Sequence, residues 1–144
     1  MKPAEVIMKT IVYETLPPEA LAIRMQVFVR EQGFTDEEDE HDGSSIHLVL
    51  FDGETPVATC RTYPLDEETY LIARVAVVKS RRGEHLGALV LGEAENEIRR
   101  RGGKAVVIHA QMQARDFYLK QGYAERGVFD LDQGCPHTWL DKRL

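Results

Sequence analysis

The chain has 144 residues, of which 43% are hydrophobic, and its formal net charge is −6. That length is enough for one hydrophobic core and too short for two ordinary domains, so a single domain over residues 1–144 is expected. The negative charge argues against general binding of nucleic acid. The sequence has no apolar run of roughly 18 residues, which argues against a membrane span, and no signal-peptide pattern. A cytoplasmic protein is therefore expected.

The N-terminal part of the chain predicts a strand, a helix and an acidic loop. Val6–Tyr13 has the pattern of a strand, and the proline pair at 17 and 18 predicts a helix that begins beside it and ends near Glu31 and Gln32. Six of the seven residues from Asp36 to Asp42 are acidic. This run is either a solvated surface loop, which is the commoner case, or an electrostatic funnel for an amine-bearing substrate.

The middle of the chain predicts three strands. Ile46–Phe51 and Pro56–Tyr63 are β-rich runs separated by Asp52-Gly53, a pair typical of hairpin turns, so these two strands should be antiparallel neighbours. Tyr70–Val78 is apolar apart from Arg74, which predicts a central strand buried on both faces.

The C-terminal part predicts an amphipathic helix followed by alternating strands and a short helix. Apolar residues recur at helical spacing from Leu86 to Ile98, and Gly102-Gly103 marks the end of that helix. A strand–helix–strand crossover in the middle of the chain indicates a mixed sheet with helices on its faces. The remaining elements are predicted as a strand at Lys104–His109, a helix at Gln113–Gln121, and strands at Tyr123–Asp130 and His137–Lys142.

The turn between the central strand and the amphipathic helix suits a pyrophosphate. The first backbone N–H groups of a helix have no intrahelical partner and lie at the positive end of the helix dipole, so they can bind phosphate oxygens. Arg81 and Arg82 add positive charge, and Gly83 and Gly87 let the main chain approach closely.

Three sets of residues resemble the GNAT acetyltransferase superfamily. Arg82 to Gly87 resembles its coenzyme A signature, which reads Arg or Gln, two residues, Gly, one residue, then Gly or Ala, except that His85 stands at the first signature glycine. Ala114–Tyr123 is similar to the second motif, in which Tyr118 is the key position. The ElaA/YjcF-like branch is indicated by Val27–Gln32, the acidic run through Asp42, His47 and Gly134–His137.

This resemblance implies an α/β (α+β) fold and the transfer of an acetyl group from acetyl-CoA to an amine. The central sheet would be mixed, mostly antiparallel and flanked by helices, with a parallel pair of strands that splay apart. The central strand would pair with pantetheine, the main-chain N–H of Val77 would face the thioester carbonyl, and the following loop would hold the pyrophosphate. The residues implied for cofactor binding are Val75, Ala76, Val77, Arg82, Gly83, Glu84, His85, Leu86, Gly87 and Ala88. No metal is implied.

The same resemblance implies an acid and several candidate bases. Tyr118 would give a proton to the departing thiolate. An alkylammonium must lose a proton before it can attack, because only roughly one molecule in 2,500 is neutral at pH 7. Glu31 is the first candidate base, followed by His47 and His137.

Several alternatives remain open at this point. The chain could be a non-catalytic sensor or partner subunit that binds acyl-CoA, an interpretation that His85 favours and Tyr118 opposes. The basic turn could bind another nucleotide, or Cys135 could carry the acetyl group in a two-step route. Cys60 and Cys135 are too few for a disulfide scaffold and are expected as free thiols. The expected partner is a small-molecule or protein amine, with a cation favoured by the acidic run, and the fold is compatible with a homodimer through the closing strands.

Overall fold

A computed structural model describes residues 8–34 and 39–144. Seven strands form one sheet in the order β1-β2-β3-β4-β5-β7-β6. Among the described residues, every helix is too short or too polar to cross a lipid bilayer. The strands are β1 (Met8–Tyr13), β2 (Ile46–Asp52), β3 (Thr55–Pro64), β4 (Thr69–Val77), β5 (Ala105–Gln111), β6 (Ala124–Asp132) and β7 (Cys135–Arg143).

The helices begin and end close to the predicted positions. Helix α1 starts with a proline at its first position, where the missing N–H costs nothing, and it continues directly into a π-helix that ends at Glu31. The predicted end of this helical segment near Glu31 is confirmed, but the sequence did not predict the wider π-helical turns. The helical segments are α1 (Pro18–Arg24), the π-helix Met25–Glu31, α2 (Leu86–Arg100), α3 (Arg115–Lys120) and short 3₁₀ turns at Glu40–Ser44, Lys79–Arg81 and Met112–Ala114.

The sheet confirms the predicted fold class. Strands β4 and β5 are parallel, with pairing from Thr69 opposite Ala105 to Ile72 opposite Ile108. The pairs β1–β2, β5–β7 and β6–β7 are antiparallel. A two-residue turn after Asp52 joins β2 to β3, as the hairpin signal predicted. The result is a mixed, mostly antiparallel sheet with one parallel pair.

Strand β4 is central, but it is buried on both faces only in its first half. Tyr70, Leu71 and Ile72 are buried, whereas most residues from 73 to 77 are half-buried. Arg74 has a φ of 56°, a left-handed conformation that regular strands do not contain. The prediction of full burial is therefore wrong for the second half of β4, where the strand is irregular.

The chain divides into two compact units. The first consists of Met1–Arg61 and Arg74–Ala94, and the second of Thr62–Ala73 and Glu95–Leu144. In the first unit, Ile23, Val27 and Ala76 form one of the buried apolar clusters. Strands β3 and β4 each contribute residues to both units, and the single domain over residues 1–144 stays a prediction.

In the second unit, β6 is an edge strand of the sheet and presents apolar side chains to solvent. Val128, Phe129 and Leu131 are all exposed. The homodimer expected through the closing strands stays a prediction.

Candidate active site

The loop before α2 belongs to the first unit and presents main chain to solvent. Strand β4 ends at Val77, a 3₁₀ turn follows, and residues 82 to 85 are exposed. The carbonyl of His85 accepts a hydrogen bond from the N–H of Leu89 at 3.1 Å, so His85 immediately precedes the first turn of α2. The next three N–H groups have no intrahelical acceptor, which leaves them available for an anion.

His85 adopts the conformation for which glycine is suited. Its φ is 62°, in the left-handed region, and that of Gly83 is 86°. Histidine is among the residues that tolerate this region better than most, although it still carries a β-carbon there. The backbone at the signature position therefore has a conformation that suits glycine, although the residue there is His85.

Replacing His85 by glycine is expected to stabilise the protein by about 0.5–1 kcal/mol. Relief of roughly 1–2 kcal/mol of left-handed strain exceeds the roughly 0.5–1 kcal/mol that glycine costs in conformational entropy. Urea unfolding of the wild type and His85→Gly measures the gain. His85→Ala is the matched control, because it removes the imidazole but keeps the β-carbon. An equal gain in His85→Ala would contradict the conformational explanation.

Two arginines fix the loop by ion pairs. Arg82 donates to both carboxylate oxygens of Glu31, at 2.8 and 2.9 Å, and to the carbonyl oxygen of Val77, at 3.2 and 3.1 Å. Arg81 donates to Glu84 and to Asp52. The guanidinium of Arg82, predicted to assist the pyrophosphate by its charge, thus also ties the end of the π-helix to the loop.

Glu31, the first candidate base, is held in this ion pair. The hydrogen bonds from Arg82, with the positive charges of Arg82 and Lys79, outweigh desolvation and lower the pKa of Glu31 below its ordinary value. Both of its oxygens already accept hydrogen bonds. This arrangement suits a structural anion better than a proton acceptor.

His47, the second candidate base, is buried in the first unit. Its Nε2 lies 3.1 Å from the carbonyl oxygen of Asp42, and because a carbonyl can only accept, Nε2 carries the proton. Burial lowers the pKa of His47 below its ordinary value despite this bond. A buried neutral imidazole with a fixed tautomer fits a structural role.

Part of the acidic run forms a buried ion cluster with three arginines. Asp42 accepts hydrogen bonds from Arg24 at 2.9 and 3.1 Å and from Arg61 at 2.8 Å. Asp39 accepts from Arg61 at 2.6 and 2.8 Å and from Arg74 at 3.4 Å. Asp42 is buried, so the solvated-loop interpretation is wrong for this residue, whereas Asp39 is exposed at the surface. Both carboxylates pair with arginines, and the electrostatic funnel stays a prediction.

The rest of the acidic run differs from these two aspartates. Residues 36–38 lie outside the described residues, and the side chain of Glu40 is 90% exposed.

In the second unit, Tyr118 lies on α3 and is buried. Its ring packs edge-on against the rings of Phe117, at 5.0 Å between centroids, and Tyr123, at 5.9 Å. The hydroxyl of Tyr123 donates to Glu95 at 2.7 Å. Tyr118 is thus fixed by aromatic packing, and its role as an acid stays a prediction.

The third candidate base, His137, lies in an aromatic cluster in the second unit. Its Nδ1 lies 2.8 Å from the carbonyl oxygen of Cys135 and therefore carries the proton. The His137 ring is 4.6 Å from that of His109, which stacks on Trp139 at 4.2 Å. Asp130 bonds to His109 Nε2 at 2.6 Å and accepts from Trp139 Nε1 at 3.1 Å.

His109 and Asp130 were missed in the sequence. The alternation of β7 places His137 and Trp139 on one face, and this much is visible in the sequence. Their neighbours follow from strand register, which pairs His109 with Trp139 and Asp130 with His137. The register of β5, β7 and β6 cannot be predicted from a single sequence.

Both cysteines are free thiols, as predicted. Burial raises the pKa of the Cys60 thiol to about 12, so this thiol is inert at neutral pH. Within residues 8–34 and 39–144, no three His, Cys, Asp or Glu side chains are grouped as a metal site would require.

Comparison with known proteins points to one family. Residues 10–123 match the model of the Acetyltransferase (GNAT) family. The uncharacterized N-acetyltransferase YjcF of Bacillus subtilis (strain 168) is 34% identical over 127 residues, which cover 86% of this chain and 90% of YjcF. The crystal structure of a candidate N-acetyltransferase from Lactobacillus plantarum has a TM-score of 0.87 at 30% identity, covering 95% of this chain and 98% of the other. Escherichia coli ElaA has the same fold, with a TM-score of 0.81 at 24% identity and coverage of 96% and 99%.

Proposed function

The chain belongs to the acetyltransferase (GNAT) family, in its ElaA/YjcF-like branch, and we propose that it transfers an acetyl group from acetyl-CoA to a primary amine by direct attack in a ternary complex. The observation that carries this proposal is the loop before α2. It keeps left-handed residues at Gly83 and at the signature position, and it ends in the unpaired N–H groups of a 15-residue helix. These features suit a pyrophosphate.

In this proposal the cofactor is held mainly by main chain. N–H groups from Arg82 to Ala88 bind the pyrophosphate, and the end of β4 from Val75 to Val77 pairs with pantetheine. A fixed N–H at Val77 would stabilise the negative charge that develops on the thioester oxygen during attack. Arg82 keeps the loop in place through its bonds to the Val77 carbonyl and Glu31.

The acyl step is direct in this proposal. The neutral amine attacks the thioester carbonyl carbon, the C–N bond forms and the C–S bond breaks. Tyr118 gives a proton to the departing sulfur, the attacking nitrogen loses its surplus proton to solvent, and Tyr118 regains a proton from solvent. A two-step route through Cys135 receives no support from its neighbour His137, whose Nδ1 donates to the Cys135 carbonyl.

Acetyl-CoA is expected to raise the melting temperature, whereas ATP is not. A ligand at about 100 times its dissociation constant adds roughly 2.7 kcal/mol, which corresponds to about 5–10 °C in a domain of this size. Thermal unfolding with acetyl-CoA, free coenzyme A and ATP measures the difference. An equal shift with ATP would indicate a general nucleotide site, and no shift at millimolar acetyl-CoA would remove the proposal.

A pair of glycine variants makes this test specific for the loop. Gly83 and Gly53 both have positive φ values, of 86° and 59°, and an added β-carbon would meet nothing within 4 Å at either position. Gly83→Ala and Gly53→Ala should therefore destabilise the protein similarly. Only Gly83→Ala is expected to lose the acetyl-CoA shift.

A further inference from the structure

We propose that His109, held by Asp130, is the group that accepts the proton from the acceptor amine. This inference rests on the proposed acetyltransferase function and assigns the proton transfer to a pair of residues. His109 Nε2 lies 2.6 Å from Asp130 Oδ1. The pair lies within the second unit, on β5 and β6, the strands on either side of β7.

The hydrogen bond fixes the tautomer of His109. An ionised carboxylate can only accept, so Nε2 carries a proton, and Nδ1 has the lone pair whenever the ring is neutral. Across the described residues, the His109 ring makes no other hydrogen bond. In its neutral form, this imidazole has a basic nitrogen and a carboxylate behind it, which is the arrangement that a general base requires.

The surroundings hold the ring in one orientation. Trp139 stacks on it with an angle of 16° between the planes, and Trp139 Nε1 donates to the second oxygen of Asp130. His137 on β7 also lies against the ring, and Arg126 and Asp141 form an ion pair on the same two strands. Hydrogen bonds from His109 and Trp139 lower the pKa of Asp130, so it remains ionised at neutral pH.

Accessibility separates His109 from the other candidate bases. Its side chain is 23% exposed, whereas His47 and His137 are buried. Glu31 is exposed enough to reach a ligand, but Arg82 occupies both of its oxygens. Among the described candidates, His109 combines a partly exposed side chain with a ring nitrogen that makes no hydrogen bond.

The proposed step moves one proton. The ammonium of the acceptor gives a proton to His109 Nδ1, which leaves a neutral amine and an imidazolium facing the Asp130 carboxylate. The amine then attacks the thioester, and the attacking nitrogen loses its remaining surplus proton to solvent as Tyr118 protonates the departing sulfur. The imidazolium returns its proton to solvent after the product leaves. Asp130 acts through His109 and is a positioning residue.

The test uses two acceptors of similar size, ethylamine and 2,2,2-trifluoroethylamine. The fluorines withdraw electrons, so the second amine is mostly neutral at pH 7 and needs no base. His109→Gln keeps a side-chain N–H for Asp130 but removes the basic nitrogen. It should lower kcat/KM about 100-fold with ethylamine and less than about tenfold with trifluoroethylamine. Asp130→Asn should show the same preference to a smaller degree, with an unchanged acetyl-CoA thermal shift in both variants.

Three results would overturn the inference. One is an equal loss with both amines, and another is full activity of His109→Gln. The third is a loss of kcat/KM that is larger with ethylamine than with trifluoroethylamine in His137→Gln but not in His109→Gln. Failure of the proposed function is distinguishable from these, because the wild type would then acetylate neither amine.

Discussion

Replacing Asp42 by asparagine is expected to lower the free energy of unfolding by about 3–5 kcal/mol. Asp42 is buried and accepts hydrogen bonds from Arg24 and Arg61, which are themselves buried. Asparagine occupies nearly the same space but removes the negative charge that Arg24 and Arg61 share, although Arg61 keeps its bonds to Asp39. The loss should exceed that of ordinary surface changes several-fold.

Glu40→Gln is the matched control for Asp42→Asn. It also neutralises an acid of the same run, but the side chain of Glu40 is almost fully exposed. Glu40→Gln should change the free energy of unfolding by no more than about 0.5 kcal/mol. Urea unfolding of both variants measures the contrast, and a similar small loss in both would mean that the cluster contributes nothing to stability.

The effect of Asp42→Asn should depend on pH. Burial opposes the ionisation of Asp42, but hydrogen bonds from Arg24 and Arg61 outweigh it and hold the pKa below its ordinary value. A lowered pKa contributes stability that is fully present above the unfolded-state value of about 3.9 and is lost as pH falls toward the folded-state value. The difference in stability between the wild type and Asp42→Asn should therefore be constant near neutral pH and narrow below about pH 4.

Replacing Tyr118 by phenylalanine is expected to lower kcat about 100-fold or more. The variant removes only the hydroxyl that we propose as the proton donor to the coenzyme A thiolate, and general acid groups typically contribute factors of this size. The ring packing against Phe117 and Tyr123 should persist. Steady-state kinetics with acetyl-CoA should show a reduced kcat, while the thermal shift with acetyl-CoA should not change.

Tyr123→Phe is the control for Tyr118→Phe, because it removes a neighbouring buried hydroxyl. That hydroxyl donates to Glu95, so its loss should cost about 1.5 kcal/mol of stability and leave kcat within a few-fold of the wild type. If Tyr118→Phe kept full activity, the hydroxyl would not be the acid. A wild-type protein that binds acetyl-CoA and acetylates no amine would instead support the non-catalytic acyl-CoA-binding alternative.

Local patterns in the sequence were sufficient for the fold. The apolar stripe of α2, from Leu86 through Val90 to Ile98, is buried as its spacing predicted. The hairpin around Gly53 and the order of strands and helices follow from turn chemistry and periodicity, which depend on near neighbours in the chain. For the same reason the family could be identified from short motifs.

Features that depend on distant partners could not be predicted from a single sequence. Arg74 appeared as a lone charge in an apolar strand, and its partner Asp39 lies 35 positions away in the sequence. Glu31 and Arg82 are 51 positions apart, so their ion pair was equally invisible. The same holds for His109 and Asp130, which strand register brings together.

The buried ion cluster also limits how this sequence can diverge. Three arginines and two aspartates share their hydrogen bonds, so the cost of changing one depends on which of the others are present. A concerted exchange of all five for apolar side chains can be neutral or even stabilising, but an intermediate that has lost Asp42 alone removes the carboxylate that the buried Arg24 and Arg61 share. Homologues should therefore have either the whole set, Arg24, Asp39, Asp42, Arg61 and Arg74, or an apolar replacement, and few intermediates.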